Sequence, residues 1–205
     1  MVVLERYEWC DFWWDDTGAT GVPRVLPVGD SITRSYRRPL TQLFQGRALV
    51  DMLATSRAVD NPALLHELEY MLGPHSLPHQ LIHLNNGLHG LHLSAEAYLD
   101  GMRRVVDFIA ERQPGARLVL ALTTPVGKQG DPRTPDEEKN PVVIERNEMV
   151  RLLAAERNLP VNDLYTPMLA NPGYRSADGV HYNAEGQQAL AELVAAFLSR
   201  ELAAL

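Results

Sequence analysis

Arg24-Val25-Leu26-Pro27-Val28-Gly29-Asp30-Ser31-Ile32-Thr33 is the stretch on which the reading of this chain turns. A short apolar run bounded by a glycine reads as a buried strand. Gly29-Asp30-Ser31 ends it, and a helical stretch follows to about Phe44. A serine at a strand-to-helix turn has an exposed hydroxyl and a backbone N–H near the positive end of the helix dipole. The same serine could equally be a helix cap, a role serine favours.

Working outward, the pattern repeats. Arg47 to Leu53, Gln80 to Leu84, Arg117 to Leu122 and Pro160 to Leu164 read as four further strands. Between them lie helical periods. Asn61-Pro62 predicts a cap and first turn ahead of Leu64, Leu65, Leu68, Met71 and Leu72. Ser94 caps a longer helix, Asn140-Pro141 repeats the cap-and-proline signal, and the last helix starts near Asn183. The segment 123–138 is rich in Pro, Gly and charge and reads as a loop. Five alternations of strand and helix predict an α/β protein, a three-layer α/β/α sandwich around a five-stranded parallel sheet. Ligands of such sheets bind beyond the carboxyl ends of the strands, where Ser31 falls.

The chain has 205 residues, 45% of them hydrophobic and 22% charged, which suits one compact domain. Residues 23–205 read as that domain and 1–22 as an aromatic N-terminal arm. The arm holds all three tryptophans, in Tyr7-Glu8-Trp9-Cys10-Asp11-Phe12-Trp13-Trp14. It would pack on the body, wall a substrate site or make a subunit contact, so a homo-oligomer is permitted and not required. A net charge of −7 argues against nucleic acid as a partner. One cysteine makes no internal disulfide, and no leader-like or membrane-length apolar run is present, so a cytoplasmic address and no membrane partner are expected.

Asp178-Gly179-Val180-His181 lies just before the last helix. An Asp and a His three apart in a tight loop can meet, leaving the second ring nitrogen for a serine. Alone, the tetrapeptide also reads as a turn with a surface histidine. Gly29-Asp30-Ser31-Ile32-Thr33 together with Asp178-Gly179-Val180-His181-Tyr182-Asn183-Ala184-Glu185-Gly186 resembles the SGNH (GDSL-type) hydrolases, from about residue 23 to 200. The resemblance implies a flavodoxin-like sheet in strand order 2-1-3-4-5 and ester hydrolysis without a metal or other cofactor. It makes Ser31 the nucleophile, His181 the general base and Asp178 the acid that orients it.

Two other family blocks depart from the pattern. Where the family supplies a glycine N–H to the oxyanion, this chain reads Ala54-Thr55-Ser56-Arg57-Ala58-Val59-Asp60. A backbone N–H near Ser56 to Ala58 is the expected replacement, with Arg57 either adding charge or lying in solvent. Where the family has Gly-x-Asn-Asp, this chain reads Asn85-Asn86-Gly87-Leu88-His89-Gly90, similar to a subgroup with Gly-Leu-His. His89 keeps the register of the oxyanion donor, and Asn86 is the competing candidate. His75, His79 and His83 are spaced by four, but Pro78 interrupts the run, so no metal site is expected. The expected substrate is a small ester, with a short acyl group such as acetyl on a polar or carbohydrate alcohol. An acyltransferase and a non-catalytic ligand-binding module are the alternatives.

Overall fold

The computed structural model describes residues 2–205. At its centre lies strand β2 (Arg24–Gly29), buried at all six positions. Beside it the second strand of the sequence reading is divided at Asp51 into β3 (Leu49–Val50) and β4 (Met52–Thr55). On the other side β2 pairs in parallel with β5 (Leu81–Leu84), β5 with β6 (Arg117–Ala121), and β6 with β9 (Val161–Asn162). The five expected strands are therefore parallel and stand in the order 2-1-3-4-5.

The sheet does not stop there. β1 (Cys10–Trp13) pairs antiparallel with β4, so the sheet is mixed and the aromatic arm supplies its edge. Alternation along a strand sends neighbours to opposite faces. Cys10, Phe12 and Trp14 pack on one core, where Tyr70 meets both Phe12 and Trp14 edge-on. The 123–138 segment also departs from expectation. It contains a hairpin of β7 (Gly127–Lys128) and β8 (Asp131–Pro135), turned at Gly130 with φ of 84°.

Helices cover both faces. α1 (Ser31–Phe44) and α6 (Ala184–Ala203) enclose one core with Val25, Leu81, Val119 and Ala121 from the strands. α2 (Ala63–Leu72), α3 (Ala95–Arg112) and α4 (Lys139–Arg157) enclose the other with Leu26, Val28, Ile82, Leu84 and Leu118. Each buried aliphatic side chain contributes about 1.5–3 kcal/mol. A short α5 (Tyr165–Ala170) and a single 3₁₀ turn at Pro172–Tyr174 lead into the C-terminal loop.

The caps follow the sequence with one exception. Asn61 Oδ1 accepts from the Ala63 N–H, Ser94 Oγ from Ala97, and Asn183 Oδ1 from Gly186. Asn140 does not cap α4. Asp136 does, accepting from the N–H groups of Glu138 and Lys139, and a carboxylate is the stronger acceptor at the positive helix end. Asn140 lies inside the helix and holds the Val126 N–H at 3.0 Å.

Candidate active site

Ser31 opens α1 immediately beyond β2. Asp30 caps the helix, its Oδ1 accepting from the Ile32 N–H at 2.8 Å. Thr33 folds back over the turn so closely that a Cβ on Gly29 would sit 2.1 Å from its hydroxyl, which explains the glycine. As the first helical residue, Ser31 keeps a backbone N–H with no acceptor among the described residues.

The C-terminal loop brings the other two groups. His181 Nε2 lies 2.9 Å from Ser31 Oγ, and His181 Nδ1 lies 2.7 Å from Asp178 Oδ2. Asp178 Oδ1 accepts from the N–H groups of Val180 and His181, both at 2.9 Å. Burial pushes the Asp178 carboxyl up, but these bonds from His181 and Val180 outweigh it and hold the group below the usual carboxylate range. With Nδ1–H facing a carboxylate, Nε2 presents its lone pair to the serine hydroxyl. The side chains of His181 and Asp178 are each 47% exposed, so this hydrogen-bonded chain opens directly to solvent.

The β7–β8 hairpin holds this loop in place. Gly127 N–H donates to the Gly179 carbonyl at 2.7 Å, and Gly130 N–H to Ala177 at 2.8 Å. Gly179 has φ of 79°, and a Cβ there would stand 2.0 Å from the Gly127 carbonyl oxygen. Only glycine fits both demands.

The two irregular blocks meet each other. Ala58 is buried against Gly90, where an added Cβ would come within 2.5 Å of the Ala58 methyl. The Ala58 N–H has no acceptor among the described residues. The Asn86 side chain donates to the Arg57 carbonyl at 2.8 Å, so it ties the two loops together. Arg57 is not the free cation the sequence suggested. Its guanidinium is matched by Glu8 at 2.7 Å and Glu67 at 3.0 Å. His89 Nδ1 stands 3.5 Å from Glu5 Oε1, which also accepts from the Gly90 N–H. Beside Ser31, burial raises the pKa of the Asp30 carboxyl; the imidazoles of His89 and His181, when charged, oppose that shift.

Sequence reasoning missed one contributor and left a second open among three readings. The first is Arg146 on α4, whose guanidinium donates to the carbonyl oxygens of Gly87, His89 and Gly90. The second is the arm itself: Glu5, Glu8 and Trp9 bond to residues of the 56–57 and 89–90 loops, so residues 5–9 run along one edge of the site. The one available signal, a period-2 alternation over 9–14, is weak because both of its faces carry aromatics. The three spaced histidines are dispersed: His79 is buried on Asp51 and His83 lies within β5. Among the described residues no group of three His, Cys, Asp or Glu side chains could hold a metal ion.

The family model described as GDSL-like lipase/acylhydrolase matches residues 28–189. No curated protein sequence matches the chain significantly. Among solved structures, a GDSL-like lipase from Bacteroides thetaiotaomicron superposes with a TM-score of 0.67 at 18% identity, covering 87% of this chain and 88% of that one. An acetyl xylan esterase superposes at 0.66 with 17% identity, covering 83% and 97%. A carbohydrate acetylesterase from Sinorhizobium meliloti gives 0.64 with 16% identity, covering 87% and 99%. At these identities the likeness is one of fold.

Proposed function

Because this chain belongs to the GDSL-like lipase/acylhydrolase family, we propose that it is a serine esterase that works through an acyl-enzyme on Ser31. The observation that carries this is the continuous chain from Ser31 Oγ through His181 to Asp178, at 2.9 and 2.7 Å. A serine hydroxyl needs a base within hydrogen-bond reach, and the base needs an orienting acceptor.

In the first step Ser31 Oγ attacks the ester carbonyl as its proton passes to His181 Nε2. Asp178 stabilises the resulting imidazolium without taking the proton. The carbonyl oxygen becomes an oxyanion, held by the free N–H groups of Ser31 and Ala58 and by the His89 ring. His89 is preferred to Asn86 because the Asn86 amide already serves the Arg57 carbonyl. The intermediate collapses, His181 gives its proton to the leaving alcohol, and the alcohol departs. Water then attacks the acyl-serine with His181 again as base, releasing the acid and restoring Ser31.

A short acyl group on a polar alcohol, such as an acetylated sugar, suits the surroundings. The solvent-open triad leaves space for a bulky alcohol. The acetyl xylan and carbohydrate acetylesterases of the same fold agree with this reading. The test is hydrolysis of p-nitrophenyl acetate, then of a panel of acetylated sugars, by the wild type and Ser31→Ala. Turnover that disappears with the hydroxyl supports the proposal, and turnover that survives rejects it.

A further inference from the structure

Ser31, Arg34, Ser35 and Arg38 fall at i, i+3, i+4 and i+7 of α1 and so share one stripe of the helix. That stripe leads away from the nucleophile along the edge of the sheet, reaching Arg38 after about 10 Å. Opposite it stands β1, which runs antiparallel to β4 with Trp13 beside Met52 and Cys10 beside Thr55. Trp9 is therefore at the catalytic end and Trp13 farther down. The Arg34 guanidinium lies over the Trp9 ring at 4.5 Å and that of Arg37 over the Trp13 ring at 4.2 Å. Between the two elements is a cleft of about 360 Å³, lined by Asp11, Trp13, Arg34, Ser35, Arg37 and Arg38.

Three arginines share this cleft in a chain of net charge −7. Arg24, Arg57, Arg103, Arg112, Arg117, Arg151 and Arg157 all pair with carboxylates. The guanidinium groups of Arg34, Arg37 and Arg38 have no hydrogen bond or ion pair among the described residues, and Asp11 is the one acid lining the cleft with them. Burial and the adjacent Arg38 charge hold the Arg37 guanidinium below its usual range; Asp11 and Asp15 only partly offset this. Stacking on the indoles holds the planes of Arg34 and Arg37 while leaving their in-plane N–H groups open for a planar or tetrahedral anion.

We propose that the Arg34–Arg37–Arg38 cleft is a subsite for a carboxylate or phosphate carried on the alcohol half of the ester, about one to two helical turns from Ser31. This rests on the esterase reading and narrows it: the preferred alcohol is anionic, as in a uronic-acid-bearing oligosaccharide or a sugar phosphate. The anion relieves the repulsion among the guanidiniums, and the fixed offset from Ser31 selects which ester of the alcohol is presented to the nucleophile. A neutral alcohol of the same size gains neither.

Calorimetry on the Ser31→Ala protein tests the subsite without requiring turnover. Digalacturonate, glucose 6-phosphate and neutral xylobiose are the probes, the first two separating carboxylate from phosphate. Binding of at least one anion above xylobiose is expected, weakening with salt and falling about tenfold or more in the Arg37→Gln/Arg38→Gln background, in line with the loss of charge-assisted bonds. Asp11→Asn should tighten the same anion, a change in the opposite direction that misfolding would not produce. In the Ser31-containing enzyme, the ratio of kcat/KM for acetylated digalacturonate over acetylated xylobiose should fall with the double substitution if carboxylate is the anion bound. Equal binding of xylobiose and the anions, or binding indifferent to Arg37 and Arg38, overturns the proposal. Anion binding by a protein that hydrolyses no ester leaves the cleft standing and rejects the esterase reading instead.

Discussion

Arg146 Nη1 donates to the His89 carbonyl oxygen at 2.7 Å from a side chain that is only 1% exposed. Its other bonds go to Gly87 and Gly90, and its guanidinium stacks 4.6 Å over the Tyr98 ring. A buried cation on one helix thus sets the course of the loop that presents His89.

Arg146→Met should therefore lower stability and turnover together. Removing a buried donor with three carbonyl partners costs about 3–5 kcal/mol. Arg146→Lys keeps the charge but not the fork, so it should recover part of the stability and little of kcat. Chemical denaturation and steady-state kinetics on both variants measure this. A kcat that tracks stability alone would make Arg146 merely structural.

His89→Ala is expected to reduce kcat by about 10²–10³ with little change in the denaturation midpoint, the size of one lost oxyanion donor. Asn86→Ala should do the reverse, because its bond to the Arg57 carbonyl at 2.8 Å ties two loops together. If the two phenotypes exchange, the donor assignment is wrong.

Asp51 joins Arg24 at 2.6 Å and His79 at 2.9 Å, both side chains buried, near the start of β2 and far from Ser31. Burial pushes the Asp51 carboxyl up, but bonds from His79, Arg24 and the Asp15 N–H outweigh it and leave its pKa lowered. A lowered carboxylate stabilises the fold fully above its unfolded value of about 3.9 and loses that contribution as pH falls through the folded value. Asp51→Ala strands the Arg24 charge and should cost about 3–5 kcal/mol, while surviving folded protein keeps its kcat. Thermal melts from pH 7 to 3 on wild type and variant give the check.

His83 is buried in β5, accepts from the Asn162 amide at 3.1 Å, and has its pKa pushed down to about 4 by burial. The unfolded chain takes up this proton near pH 6.5 and the folded chain does not, so stability declines as pH falls from about 6.5 to about 4. The full effect is about 3 kcal/mol. His83→Gln, which can still accept from Asn162, should flatten that part of the pH–stability curve. An unchanged slope would assign the titration elsewhere.

The parallel strands and the meeting of Ser31, His181 and Asp178 were legible in the sequence because both depend on local patterns. Val25 to Val28 is a continuous apolar run, and Asp178 to His181 closes on itself within one loop. β1 was harder to read, since both faces of the 9–14 segment carry large aromatics and the period-2 contrast is weak. The β7–β8 hairpin is short, irregular in register and proline-bearing, so it gives almost no strand signal. Arg146 and Arg57 sit among polar neighbours. Nothing local distinguishes an arginine buried under a distant loop, or one neutralised by Glu8 and Glu67, from an arginine in water.

The most direct trial is mass spectrometry of the acid-quenched reaction with p-nitrophenyl acetate, followed by peptide mapping. A single acetyl group on Ser31, accumulating in His181→Ala only at a greatly reduced rate and absent from Ser31→Ala, is the predicted result. Undiminished hydrolysis by Ser31→Ala, or an acetyl group that maps to another side chain during turnover, would contradict a nucleophile delivered by β2 and activated from the C-terminal loop.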